Sequence, residues 1–133
     1  MGDGTEPIAD EELLYRRIPV SQQTWYDPEL NAPPSPHAFR PNSQHDLTGL
    51  SMWRAKYTTP EECARNDRSK RYYIAVLRAG DLRKHNIEVV PKPSEERPGH
   101  VELPCLRSDN RKQTEDIQLR LAELCLEVKG PFP

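Results

Sequence analysis

Three pairs of residues in this 133-residue chain are of types that work together on a phosphate-bearing substrate: Arg16 with Arg17, Ser51 with Trp53, and His100 with Glu102. An arginine guanidinium can hold a phosphate through two parallel N–H donors. A serine hydroxyl and an aromatic ring can hold a ribose and a base, and a carboxylate can orient a ribose hydroxyl or an acceptor. Ser51 and Trp53 are two residues apart, as are His100 and Glu102, so on a strand each pair shares one face. Arg16, Ser51 and Glu102 are the candidate catalytic residues. Arg17, Phe39, Trp53 and His100 are candidate binding residues, with Phe39 entering as the aromatic anchor of a long loop.

Other chemistries find less footing. His37, His45, His85 and His100, with Cys63, Cys105 and Cys125, are scattered, and none has CxxC or HxxxH spacing. No metal site is therefore expected. Ser51 lies in "TGLSM", without the glycine two residues on that a nucleophile elbow needs. Cys63 stands among glutamates, which disfavour a thiolate, while Cys105 near Arg107 has a slightly better setting. Cys125 reads as a small apolar core residue. No GxxxxGK or GxGxxG phosphate loop occurs. "SKRYYIAVLR" has the composition of an RNA-binding strand but not its glycine–aromatic pattern.

The elements that must position these residues can be read from periodicity. "LLYRRIPV" (13–20), "DLTGLSMWRA" (46–55), "RYYIAVLR" (71–78), "IEVVP" (87–91) and "HVELP" (100–104) have strand character. The apolar residues on both sides of 71–78 predict a strand covered on both faces. Gly49 predicts a bulge or a close backbone approach. Thr59, Pro60 and Glu62 form a helix-start signature for a short helix near 59–66. Residues 79–86 offer a turn or two of helix that Asn86 can stop. Ile117, Leu121, Leu124 and Val128 make an amphipathic stripe for a C-terminal helix near 110–128, capped by Ser108 or Asp109 and stopped at Gly130. The fold expected is α+β: one small domain over 11–133, with a mixed or antiparallel sheet of about five strands. Residues 1–10 read as a flexible acidic N-terminus, and 21–45 as a long Pro-rich loop. Proline is abundant, 14 residues, about twice the usual share.

Net charge is −2, which exerts no general pull toward nucleic acid or membrane. Residues 54–84 nevertheless hold nine Lys/Arg against four acids, a segment that could contact nucleic acid if its charges share a face. An odd number of cysteines without CxxC pairs points to reduced thiols and a cytoplasmic location. No apolar run suits a signal peptide or membrane span, so no membrane partner is expected.

The order of arginine strand, serine strand and glutamate strand resembles the scheme of ADP-ribosyltransferases. The resemblance is one of role order, since the chain lacks that family's STS-type triplet and its ExE or QxE pair. It implies NAD as the bound dinucleotide, with Arg16 or Arg17, Ser51 and Glu102 as the site. Read as plain sheet residues, Arg16 and Arg17 are a paired edge, Glu102 is surface, and His100 begins a strand. No spacing sets a general base beside an activated nucleophile, which favours a non-catalytic, cofactor-free accessory module that binds another protein through its proline loop. "NAPPSP" (31–36) could then serve as a polyproline II ligand. The discriminating observation is whether Arg16, Ser51 and Glu102 converge on one cleft.

Overall fold

A computed structural model describes residues 3–42, 46–66, 69–109 and 114–133. His45, and the start of the C-terminal helix expected at 110, lie outside the described residues. The fold is α+β, a single small domain built on a six-stranded antiparallel sheet. The strands are β1 (Leu13–Pro19), β2 (Leu50–Arg54), β3 (Tyr72–Arg78), β4 (Val90–Pro91), β5 (His100–Leu103) and β6 (Glu127–Phe132), in the spatial order β4-β5-β2-β1-β3-β6. Helices α1 (Pro60–Ala64), α2 (Ala79–Lys84) and α3 (Glu115–Leu124) lie among them.

Strand alternation sorts side chains to two faces. Leu14, Ile18, Leu50, Met52, Ala75, Leu77, Val101 and Leu103 are buried on the main face. There Phe39, Leu82, Leu106 and Leu121 complete the larger core. On the opposite face Tyr15, Ile74 and Val76 pack with Cys63 and Ala64 of α1 in a smaller core. β3 is therefore interior to the sheet and covered on both faces, as its apolar run predicts. The α1 helix starts as its sequence implies: the Thr59 hydroxyl accepts from the Glu62 N–H, with Pro60 in the first turn.

The long connection from β1 to β2 is not structureless. Short 3-10 helices at Pro28–Leu30 and Pro36–Phe39 interrupt it, each capped by the side chain before its proline, Asp27 and Ser35. Ala38 and Phe39 are fully buried, so Phe39 does anchor the loop, but from inside the core and not at a binding surface.

Three expectations need correction. The last helix does not run to 128: α3 ends at Leu124, and residues 127–132 form β6 along β3. Val128, apparently one more step of the helical stripe, stands opposite Ala75 in the sheet. The open edge of β3 offers a row of backbone partners, and pairing there outweighs another helical turn. The helix is led in by Thr114, while Ser108, proposed as its cap, donates its N–H to the Asp46 carbonyl. Finally, residues 3–12 carry contacts that tie them to the body. The fully buried Arg54 donates to the Gly4 and Glu6 carbonyls and to both carboxylate oxygens of Glu12, and Ile8 joins the larger core.

Candidate functional site

The α1 helix covers only the β1, β3 and β6 part of the second sheet face. Over β2 and β5 that face is open, and a cleft of about 910 Å³ lies there. Sheet register explains who meets in it. Tyr15 stands opposite Trp53, Trp53 opposite His100, and Ser51 opposite Glu102. Directly opposed residues share a face, so Arg17, Ser51, Trp53, His100 and Glu102 all point the same way. Arg16 belongs to the other face by alternation. The β1–β2 ladder registers Leu14 with Arg54 and Tyr15 with Trp53, and Arg16 lies just beyond these pairs, its side chain also reaching the cleft. Arg16, Ser51 and Glu102 thus converge on one cleft, together with Arg17, Trp53 and His100. Phe39 is the sequence candidate that does not.

Both arginines are held by backbone carbonyls. Arg16 donates Nε to the Ala38 carbonyl at 3.2 Å and Nη1 to the Ser51 carbonyl at 3.1 Å. Arg17 donates Nε to the Cys63 carbonyl and Nη2 to the Arg65 carbonyl, the latter at 2.9 Å. Its guanidinium lies 5.0 Å from the Trp53 ring centre and 5.3 Å from that of Tyr72. Among the described residues neither arginine has a carboxylate within ion-pair distance. Burial pulls the Arg16 pKa below its ordinary value, and the nearby Asp46 carboxylate opposes that shift. Arginine stays protonated even so, and the two positive charges here rest on carbonyl dipoles, with Asp46 as the carboxylate near Arg16.

The carboxylates of the cleft have unlike duties. Asp46 accepts from the backbone N–H groups of Asn42 and Ser51, at 2.6 and 3.2 Å, and so ties the loop to the start of β2. Glu102 accepts from the Thr48 hydroxyl at 2.7 Å, and among the described residues no other group donates to it. It is the carboxylate left to face a ligand.

Ser51 and His100 form a pair that 49 intervening positions hide in the sequence: Oγ lies 3.0 Å from Nε2. The other ring nitrogen, Nδ1, lies 3.1 Å from the Lys92 carbonyl. A carbonyl can only accept, so Nδ1 donates to it, and in the Nδ1–H tautomer Nε2 accepts from the Ser51 hydroxyl. This orients the serine with its oxygen lone pairs available to the cleft. Tilted contact with Trp53, 5.8 Å between ring centres, keeps the imidazole in place.

The thiols take no part. Burial pushes Cys63 and Cys125 up to about 11 and raises Cys105 as well, so none is poised as a thiolate. For Cys63 the main cause is burial against the sheet beside Tyr15, Ile74 and Val76, not the neighbouring glutamates. Among the described residues, no three His, Cys, Asp or Glu side chains gather to hold a metal ion. Nor is any helix of the described residues long and apolar enough to cross a membrane. The basic run 54–84 does not make one surface. Arg54 is buried against Glu12, Arg78 pairs with Asp81 and Arg83 with Asp10, whereas Arg65 and Lys70 line the cleft.

Arg40, Arg65, Lys70 and Arg97 also line the cleft; Arg65 and Lys70 belong to the basic run 54–84 noted in the sequence, whereas Arg40 and Arg97 carried no sequence signal. All four come from loops, where no periodicity assigns a direction to a side chain. With Arg16 and Arg17 they make six cations around two carboxylates. Fold and site together define an α+β domain with a basic cleft on the uncovered half of an antiparallel sheet. Comparison with protein-family models, with curated proteins and with solved structures finds no match for this chain.

Proposed function

We propose that the cleft binds a pyrophosphate-bearing dinucleotide, NAD, and that the protein is an ADP-ribosyltransferase-like enzyme. The observation that carries this reading is the pair Arg16 and Arg17, set in one cleft by carbonyl partners and, among the described residues, without a carboxylate at ion-pair distance. Half-buried charges without a directly paired counter-ion are costly, and an anion arriving between them recovers part of that cost. A pyrophosphate answers two guanidinium groups, and Trp53 offers an aromatic surface beside them. The cleft volume falls within the range of small-molecule sites.

NAD would supply the N-glycosidic bond between ribose and nicotinamide. On that bond the chain's own groups have separable tasks. Arg16 and Arg17 hold the pyrophosphate. Ser51, its hydrogen directed to His100, presents its oxygen to a ribose or nicotinamide N–H or O–H donor. Glu102 places a negative charge where the ribose becomes electron-poor and orients its hydroxyl groups.

A protein-binding accessory role would use the proline loop, and here the local structure favours the cleft instead. Pro34 is buried and Ser35 and Pro36 are half-buried, so only Asn31, Ala32 and Pro33 of "NAPPSP" are exposed. The exposed large apolar residues Leu30, Leu47, Leu119 and Leu126 lie on separate segments of the chain.

Thermal unfolding with and without NAD tests the reading. Saturating NAD raises the melting temperature by several degrees, because a ligand at about 100 times its Kd adds about 2.7 kcal/mol. Arg16→Ala and Arg17→Ala each weaken NAD about tenfold or more, the value of a charge-assisted contact. Glu102→Gln keeps the thermal shift but slows nicotinamide release on the order of a hundredfold. No shift with NAD, together with a defined partner recovered by pull-down, would favour the accessory module.

A further inference from the structure

We propose that the mouth of the cleft binds a single-stranded nucleic acid; this binding site does not rest on the NAD reading. Arg16 and Arg17 at the base of the cleft are half-buried and held by carbonyls. Arg40, Arg65, Lys70 and Arg97 are different: all four are exposed, and they rise from three separate loops. Arg40 follows the second 3-10 helix, Arg65 and Lys70 lie between α1 and β3, and Arg97 lies between β4 and β5. Among the described residues none of the four forms an ion pair. Much of the charge elsewhere on the surface is compensated, as at Lys56 with Glu6, Arg83 with Asp10 and Lys129 with Glu127.

The charge count says more than "anion". A dinucleotide pyrophosphate bears two negative charges and is answered by the two arginines at the base. Four cations then remain at the mouth, among the described residues, against the two carboxylates Asp46 and Glu102. The placement of the cations on three loops gives several separate phosphate positions around one opening, which matches the repeating phosphates of a strand better than one phosphate group. Trp25, Trp53 and Tyr72 line the same cleft, with the Arg17 guanidinium over the rings of Trp53 and Tyr72, and the exposed parts of these half-buried rings offer π-surface on which unpaired bases can stack. That surface lies in a concavity, out of reach of bases already stacked in a duplex. With a net charge of −2 the rest of the molecule does not attract polyanions, so binding is confined to the cleft.

Fluorescence anisotropy of labelled twelve-nucleotide oligo(U) and oligo(dT) on the full chain, from 50 to 300 mM salt, tests the proposal. Binding is expected to weaken with salt. The combined variant Arg40→Ala, Arg65→Ala, Lys70→Ala, Arg97→Ala loses at least tenfold in affinity at low salt. Its log–log salt slope shrinks by about 3, since each phosphate contact on a single strand contributes about 0.7. The thermal shift with NAD survives in this variant, because Arg16 and Arg17 are untouched. Absence of oligonucleotide binding, binding that the variant leaves unchanged, or equal or tighter binding of a twelve-base-pair duplex or a multiply phosphorylated peptide would each overturn it. If the oligonucleotide binds in the expected way while NAD gives no shift, the nucleic-acid site stands and the NAD reading fails. A shift with NAD and no oligonucleotide binding has the opposite meaning.

Discussion

Arg16 and Arg17 are adjacent in sequence and take opposite routes to the same cleft. One projects beyond its last registered pairs with β2; the other lies over Trp53 and Tyr72. Alternation alone would have separated them. The Ser51–His100 contact was equally hidden, because facing is legible from a period of two but cross-strand register is not. At this same scale the N-terminal segment yields a pH prediction. The Tyr57 hydroxyl donates to Glu6 and, as the main cause, holds the Glu6 carboxyl down to about 2 from an ordinary 4.5. A carboxyl lowered in the folded state adds stability that is complete above the unfolded value and lost as pH falls through the folded one. The contribution of Glu6 is therefore present above about pH 4.5 and disappears toward pH 2. Tyr57→Phe removes the main cause, so the melting temperature at pH 3 to 4 should approach its value at pH 2. A variant whose melting curve between pH 5 and 2 overlays the parent's would show that the hydroxyl has no such role.

Among the elements, β2 carries Ser51 and Trp53 and has a tight entry. A Cβ built on Gly49 would lie 2.9 Å from the Leu103 carbonyl oxygen and 3.1 Å from Glu102 Cβ, so the glycine lets β2 approach β5 at Ser51 and Glu102. The close backbone approach expected from a glycine at this position is therefore real. Gly49→Ala pushes backbone against backbone and should cost about 1–3 kcal/mol in urea unfolding. It should also weaken NAD, since Ser51 and His100 move apart; unchanged stability and unchanged affinity together would show that the sheet absorbs the methyl group. The C-terminal element shows where local signals stop. Leu121 buries as the stripe predicts, with Ala122 buried beside it, but Leu126 is 54% exposed and its N–H donates to the Val76 carbonyl, already committed to the sheet. A helical stripe and a strand edge compete for residues 125–132. Local periodicity contains no information about the vacant edge of β3 that decides between them.

For the molecule as a whole, Arg54 joins the acidic N-terminal segment to the middle of the sheet. Its side chain is fully buried, 2.6 Å from one Glu12 oxygen and 2.9 Å from the other. Arg54→Met leaves the Glu12 carboxylate nearly buried without its cation, along with the carbonyls of Gly4 and Glu6. The expected loss is about 3 kcal/mol in chemical unfolding, the scale for removing one partner of a buried pair. A loss below about 1 kcal/mol would mean that the segment is not stabilised through Arg54. The same bridge uses up acidic residues that would otherwise offset the basic cleft. A chain of net charge −2 thereby keeps six cations around one opening.

By itself the sequence determined the α+β class, the paths of β1, β2, β3 and β5, the start of α1, and that Ser51 shares a face with Trp53 and His100 with Glu102. These follow from side-chain alternation and helix capping, which act over two to four residues and so leave a local trace. The tertiary structure alone decided that α1 covers one half of that face and leaves the other open, that Arg16 rejoins Arg17 in the opening, and that four loop cations surround it. It also decided that residues 127–132 complete the sheet and that residues 3–12 close over Arg54. Each of those outcomes depends on groups distant in sequence, a free strand edge, a buried charge or a helix of limited length, whose competition is settled only when the chain is folded.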